Sequence, residues 1–189
     1  NMSSAASDVY KRQELPIIMV GHNRRFSPHL QQLHRWLLLR KNPLVIQYRV
    51  NSGFVPSDHW VHSEGEGRSR IVGEMTHFID LLHNITGSSI TRVHAERIGG
   101  DNQSAMNNDN IAVTFKFEEG SVANLTYAAS GDKAYSREKI EIFYEGNTVV
   151  SEDFRISKKH FGGKTETFKT HGQEMGYREE LKHFISLFK

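Results

Sequence analysis

The sequence predicts an α+β domain: an open, mostly antiparallel sheet with helices packed on one face. Three observations carry that expectation. The second half of the chain holds successive strand candidates separated by short turn-forming links, and such links force antiparallel neighbours. The first half holds two amphipathic helix patterns, one over 29–40 and one inside the run GRSRIVGEMTHFIDLLHNITG, residues 67–87. The length of 189 residues, with 37% hydrophobic and 24% charged side chains, suits one domain with its own core.

Taken in order, residues 1–14 are small and polar without periodicity and read as a non-native start, resembling a translated adaptor remnant, or as a disordered one. LPIIMV (15–20) reads as a short, fully buried strand, because its large apolar residues are contiguous, and GHNRRF follows as a loop. Ser27 and Pro28 supply an N-cap and an N1 proline for HLQQLHRWLLLR, whose Leu30, Leu33 and Leu37 share a face. Asn42-Pro43 closes that helix, and LVIQYRV (44–50) is a strand. A long irregular loop leads to the second helix, for which Gly87 is the C-terminal glycine.

Beyond it, SITRVHAERI, NIAVTFKF, SVANLTYAA and KIEIFYE are strands, with EEGS (118–121) and EGNT (145–148) as hairpin links. In NIAVTFKF, Ile111, Val113, Phe115 and Phe117 face one way and Ala112, Thr114 and Lys116 the other. Weaker strands follow over 148–169. A last helix starts near Glu174, with Leu181, Phe184, Ile185 and Phe188 as its apolar stripe. The chain stops inside this uncapped helix and begins on a strand without a partner, so both ends look cut.

Composition removes several function classes. There are no cysteines, which excludes disulfide scaffolds, thiolate zinc sites and cysteine nucleophiles. A formal charge of +2 from 24 basic and 22 acidic residues, without a basic run interleaved with aromatics, argues against a nucleic-acid partner. No signal-peptide core and no membrane-length apolar run occurs, which points to a cytoplasmic protein without a membrane partner.

The chemistry concentrates in residues 51–80. At 100° per residue, Met75, Phe78, Ile79, Leu82 and Ile85 form the buried arc of the second helix, and His77, Asp80 and Asn84 a polar edge. Glu74 stands about 60° from His77, so both can point into one cleft at the helix N-terminus. Three readings fit. In the first, Glu74 only complements the helix dipole and His77 is solvated. In the second, Glu-x-x-His is a metal ligand pair completed by His59 and His62. In the third, His77 is a general acid/base with a neighbouring carboxylate to raise its basicity. The preceding loop favours the third: Ser57, Asp58, His59, Trp60, His62, Arg68 and Arg70 combine an aromatic platform, donors and cations, as a hydroxyl-rich or anionic ligand requires. No metal site is expected.

The runs VGHNRRFSPHL, YRVNSGFVPSDHWVH and GRSRIVGEMTHFIDLLHNITG, in that order, resemble the Gfo/Idh/MocA oxidoreductases, the glucose–fructose oxidoreductase and inositol dehydrogenase group. The resemblance spans roughly residues 15–189 and is most specific in its middle run. It implies a C-terminal α+β domain, residues 28–189, preceded at 15–27 by the last strand of a Rossmann domain and the hinge beyond it. It also implies hydride transfer between NAD or NADP and a carbinol carbon of a sugar, cyclitol or sugar nucleotide. On the resemblance His77 is the catalytic histidine, relaying the proton as hydride leaves the same carbon.

Two departures accompany it. The family's usual aspartate, four residues before that histidine, is replaced by Gly73, with Glu74 one place later. The approach to the helix reads GRSR where three glycines in a row would be typical. No G-x-G-x-x-G and no Glu-Lys-Pro occurs in the chain. The expectation is therefore the substrate half of an oxidoreductase, inactive alone, whose NAD or NADP is bound mainly by a domain absent from this chain. His77 is the acid/base and Glu74 its orienting partner; Asn51, His59, Trp60, His62 and Arg70 contact a sugar-like substrate; Asn23 and Arg24 touch the cofactor. A homo-oligomer is expected through the sheet face that carries Ala112, Thr114 and Lys116. The alternative is a non-catalytic binding or oligomerisation module of the same fold, and a metal-dependent hydrolase stands third.

Overall fold

The computed structural model describes residues 18–56, 58–60, 70–99 and 109–188. Its centre is an eight-stranded sheet: β1 (Val45–Asn51), β2 (Ile90–Arg97), β3 (Asn110–Phe117), β4 (Val122–Ala128), β5 (Glu138–Tyr144), β6 (Asn147–Glu152), β7 (Ile156–Phe161) and β8 (Lys164–Lys169). In space they run β2-β3-β4-β1-β5-β6-β7-β8. Every pairing is antiparallel except that of β1 with β4. That exception follows from connectivity, because β1 reaches β4 only after a helix and a β-hairpin, a crossover long enough to bring a strand back parallel.

Helices α1 (Pro28–Leu37) and α2 (Arg70–Thr86) cover one face of the sheet, and α3 (Tyr177–Ser186) packs against a 3-10 turn at Asn23–Phe26. The core closes between Leu30, Leu33, Trp36 and Leu37 of α1, Met75, Phe78, Leu81, Leu82 and Ile85 of α2, and inward rows such as Ile46, Tyr48 and Val50 of β1. Among the described residues, no helix is long and apolar enough to cross a membrane.

Most elements stand where the sequence puts them. Ser27 caps α1 by accepting from the His29 main-chain N at 3.2 Å, with Pro28 as the first helical residue. Gly87, at φ 67°, follows α2 and donates its N–H to the His83 carbonyl at 2.9 Å. Gly162 and Gly163, both at positive φ, make the tight turn between β7 and β8. In α2 the buried arc also takes in Leu81, while Ile79 is only half-buried.

Three expectations change. Residues 18–20, half of the expected buried strand, carry no strand, and Ile18 and Val20 are 83% and 68% exposed. No strand of the sheet pairs with them, and an apolar run without ladder partners lacks the backbone bonds that would hold it as a strand. GHNRRF is not irregular, since Asn23–Phe26 winds into the 3-10 turn. Most of the stripe of α3 faces outward: Leu181 and Ile185, with Phe188 just beyond the helix, are each about 60% exposed, and only Phe184 is half-buried.

Candidate active site

His77 lies about two turns into α2, half-buried, and lines a cavity of about 270 Å³. Phe78, Glu74 and Arg137 line the cavity beside it; Gly21, Asn23 and Arg24 come from the 3-10 turn and the residues before it, and Tyr177 from the start of α3. Elements from both halves of the chain therefore meet at this imidazole. His77 Nδ1 is buried without a hydrogen-bond partner. The ring meets that of His22 edge-on, with centroids 5.4 Å apart. Its pKa is lowered, first by burial and then by the positive charge of Arg24 and by His22. A lowered pKa favours the neutral imidazole, which has one nitrogen able to accept a proton.

Below the cavity is a buried charge network. Arg24 grips Glu138 with two hydrogen bonds, Nε to Oε2 at 2.9 Å and a terminal nitrogen to Oε1 at 2.6 Å, and the Tyr48 hydroxyl donates to Oε2 at 2.5 Å. Burial alone would pull the Arg24 guanidinium down, but the hydrogen bonds and charge of Glu138 raise it above its ordinary value. Burial, followed by the charge of Glu138, lifts the Tyr48 phenol far above its usual range, so it stays a donor. The guanidinium also stacks on Phe78, 4.8 Å from the ring centroid.

The expected partnership of Glu74 with His77 is replaced by another. Glu74 accepts from Arg70 Nε at 2.9 Å and from Arg137 at 3.3 Å. Both carboxylate oxygens are thereby taken by guanidiniums, and no hydrogen bond joins Glu74 to the imidazole. Arg70 is 6% exposed and, besides Glu74, donates to the carbonyls of Gly53 at 2.9 Å and Ser52 at 3.2 Å. It ties the end of β1 to the start of α2, and its known contacts are all internal. Asn51 is likewise a tie, with Nδ2 donating to the Asp132 carbonyl at 2.8 Å.

Asn23 and Arg24 do line the cavity, but their polar ends point into the protein, Asn23 Nδ2 donating to the Met175 carbonyl at 2.8 Å and Arg24 bonded to Glu138. His59 and Trp60 stack at 5.7 Å, with Trp60 62% exposed, and neither is among the described residues that line the cavity. His62, Ser57 and Arg68 lie outside the described residues. Among the described residues no cluster of three or more metal-ligating side chains forms.

Sequence reading passed over His22, Arg137, Glu138 and Tyr177. His22 sits in the same GHNRRF run as Asn23 and Arg24, so the signal was adjacent. Arg137, Glu138 and Tyr177 reach α2 only through the sheet and the packing of α3, and no local spacing announces them. The α3 joint depends on Gly176, at φ 90°: a Cβ there would lie 2.5 Å from Ser27 N, 2.7 Å from the Phe26 carbonyl carbon, and closer still to the Asn23 carbonyl oxygen.

The GFO/IDH/MocA C-terminal domain model matches residues 42–150, more than half of the chain. No curated protein sequence matches. Among solved structures, a dehydrogenase (MviM) from Clostridium difficile aligns with a TM-score of 0.68 at 16% identity over 90% of this chain and 53% of that one. A UDP-N-acetylglucosamine 3-dehydrogenase, GnnA from Acidithiobacillus ferrooxidans, aligns with a TM-score of 0.68 at 18% identity over 98% of this chain and 57% of that one. An inositol dehydrogenase homolog from Azotobacter vinelandii, complexed with NAD+, gives 0.61 at 15% identity over 77% and 42%. At these identities the likeness is one of fold, and the chain spans about half the length of these proteins.

Proposed function

From the premise that the chain belongs to the GFO/IDH/MocA family by its C-terminal domain, we propose that it is the substrate-binding, catalytic part of an NAD- or NADP-dependent dehydrogenase acting on a hydroxyl-bearing carbon of a sugar, cyclitol or sugar nucleotide. One observation carries the reading: His77, its pKa lowered by burial and by Arg24, lines a cavity together with Glu74, Asn23, Arg24 and Arg137. In the oxidation direction the C–O–H proton passes to the imidazole and the C–H hydride leaves the same carbon. A bound nicotinamide supplies the hydride acceptor. The chain's own residues orient the carbinol and hold the proton.

The cavity, about 270 Å³, is smaller than sites for drug-sized ligands, which begin near 300 Å³. It fits the reactive end of a nicotinamide or one sugar ring, not a whole dinucleotide, and Gly21, Asn23 and Arg24 would form the nicotinamide's seat. The rest of the cofactor is assigned to residues outside this chain, in keeping with the missing G-x-G-x-x-G. A titration of this chain with NADH, followed by nicotinamide fluorescence, is expected to give no micromolar binding; clear binding would refute that assignment. In the complete protein, His77→Ala should lower kcat/KM on polyol substrates by about a hundredfold or more, the usual cost of losing a general base. Unchanged turnover would favour the second reading, a non-catalytic binding module of the same fold, which the exposed stripe of α3 supports. The proposal includes a homo-oligomer through the outward row Ala112, Thr114 and Lys116, and a monomeric mass by light scattering would remove it.

A further inference from the structure

The cavity is charged unevenly. Its wall carries two guanidiniums, Arg24 and Arg137, against one carboxylate, Glu74, and a neutral imidazole. Arg24 is cancelled from below by Glu138, to which it bonds at 2.6 and 2.9 Å. Glu74 is cancelled from behind by Arg70, at 2.9 Å. Arg137 is left over. Its contacts are longer, 3.3 Å to Glu74 and 3.7 Å to Glu138, and both go to carboxylates already held more closely by another arginine. Arg24 and Arg70 have side chains 7% exposed, whereas that of Arg137 is 49% exposed. Of the two guanidiniums described in the lining, it has the longer ion pairs and the more exposed side chain.

The position is built, not incidental. The Arg137 carbonyl accepts from Asn51 N at 2.7 Å. The preceding Ser136 is clamped by Arg49 through its carbonyl at 2.6 Å and its hydroxyl at 2.7 Å. The following Glu138 N–H bonds Asp153 at 2.7 Å. A fixed backbone thus presents a half-exposed guanidinium at the same cavity that His77 walls. A planar fork with spare donors is the group that recognises carboxylates and phosphates bidentately.

We propose that the substrate of this cavity bears an anionic group, a carboxylate or a phosphate, and that Arg137 binds it while His77 faces the reacting hydroxyl. This rests on the dehydrogenase reading above and narrows its substrate class to acidic or phosphorylated sugar derivatives. The test is calorimetric titration of the full chain with D-glucuronate, D-glucose 6-phosphate and methyl glucoside, with His77 ring resonances followed by NMR in parallel.

At least one of the two anionic sugars should bind about tenfold or more tightly than the neutral one, as a charge-assisted pair implies. Which of them shows the preference tells carboxylate from phosphate. Arg137→Gln should erase it, and Arg137→Lys should keep part of it. Equal affinities for all three sugars, no binding of either anion, or a preference that survives Arg137→Gln would overturn the proposal. If neutral and anionic sugars shift His77 alike and Arg137→Gln changes nothing, the dehydrogenase reading stands and this one falls. If inorganic phosphate alone binds through Arg137 as tightly as the sugars and His77 never shifts, the anion site stands and the dehydrogenase reading falls.

Discussion

In α2, Phe78, Leu81 and Leu82 are at most 1% exposed, whereas in α3 Leu181 and Ile185, set on an equally regular stripe, are about 60% exposed. Both helices have the 3.6-residue periodicity of an amphipathic segment. The difference lies in what stands opposite. The stripe of α2 faces the inner rows of β1, β3 and β4, while α3 docks by its first turns on the 3-10 turn and leaves the stripe uncovered. Periodicity marks a face that asks for cover; only tertiary structure says whether the cover is in the same chain.

The contrast can be tested by substitution and by pH. The largest effect is expected behind α2, at the charge network. Glu138→Ala would leave Arg24 buried without a counter-ion and should cost about 3–5 kcal/mol in urea unfolding; a loss below 1 kcal/mol would mean that water reaches the guanidinium. Next comes Leu82→Ala, which opens a cavity in a fully buried site and should cost roughly 2–5 kcal/mol.

Acid should act on the same side of the sheet through His29, which is fully buried between the hydroxyls of Ser157 and Thr170, 2.9 Å from each. Burial pushes its pKa down to about 4. The folded state then binds fewer protons than the unfolded chain, so stability is complete above pH ~6.5 and falls as the pH drops toward 4, by roughly 3 kcal/mol in all. His29→Asn should flatten that slope. The smallest effect is expected on α3, where Leu181→Ala should change stability by no more than about 0.5 kcal/mol. A cost above 2 kcal/mol there would show the stripe to be covered in solution and end the comparison.

The fold was legible where it is local. Alternation in NIAVTFKF, the Ser27-Pro28 start of α1 and Gly87 after α2 each place an element to within a residue or two, because they act over a single turn or pleat. His77 was legible too, since its face of α2 follows from spacing alone. What could not be read is whatever is decided across the sheet. That Glu74 binds Arg70 and Arg137 instead of His77 depends on the register that sets Val50 opposite Glu138, placing Arg137 at the edge of the cavity. That residues 18–20 form no strand follows from the lack of a neighbouring strand among the described residues, which an apolar run cannot announce.

Gly176 leaves no space between two segments of the chain. Met175 and Glu174 accept hydrogen bonds from Asn23 and Ser27, so the segment before α3 is stitched to the 3-10 turn with no room for a side chain between them. Two walls of the cavity, one supplied from before β1 and one from after β8, thus behave as a single rigid jamb. A motion that opened the cavity would have to come from the α2 or Arg137 side. The geometry of the doorway is set by a residue that never touches what passes through it.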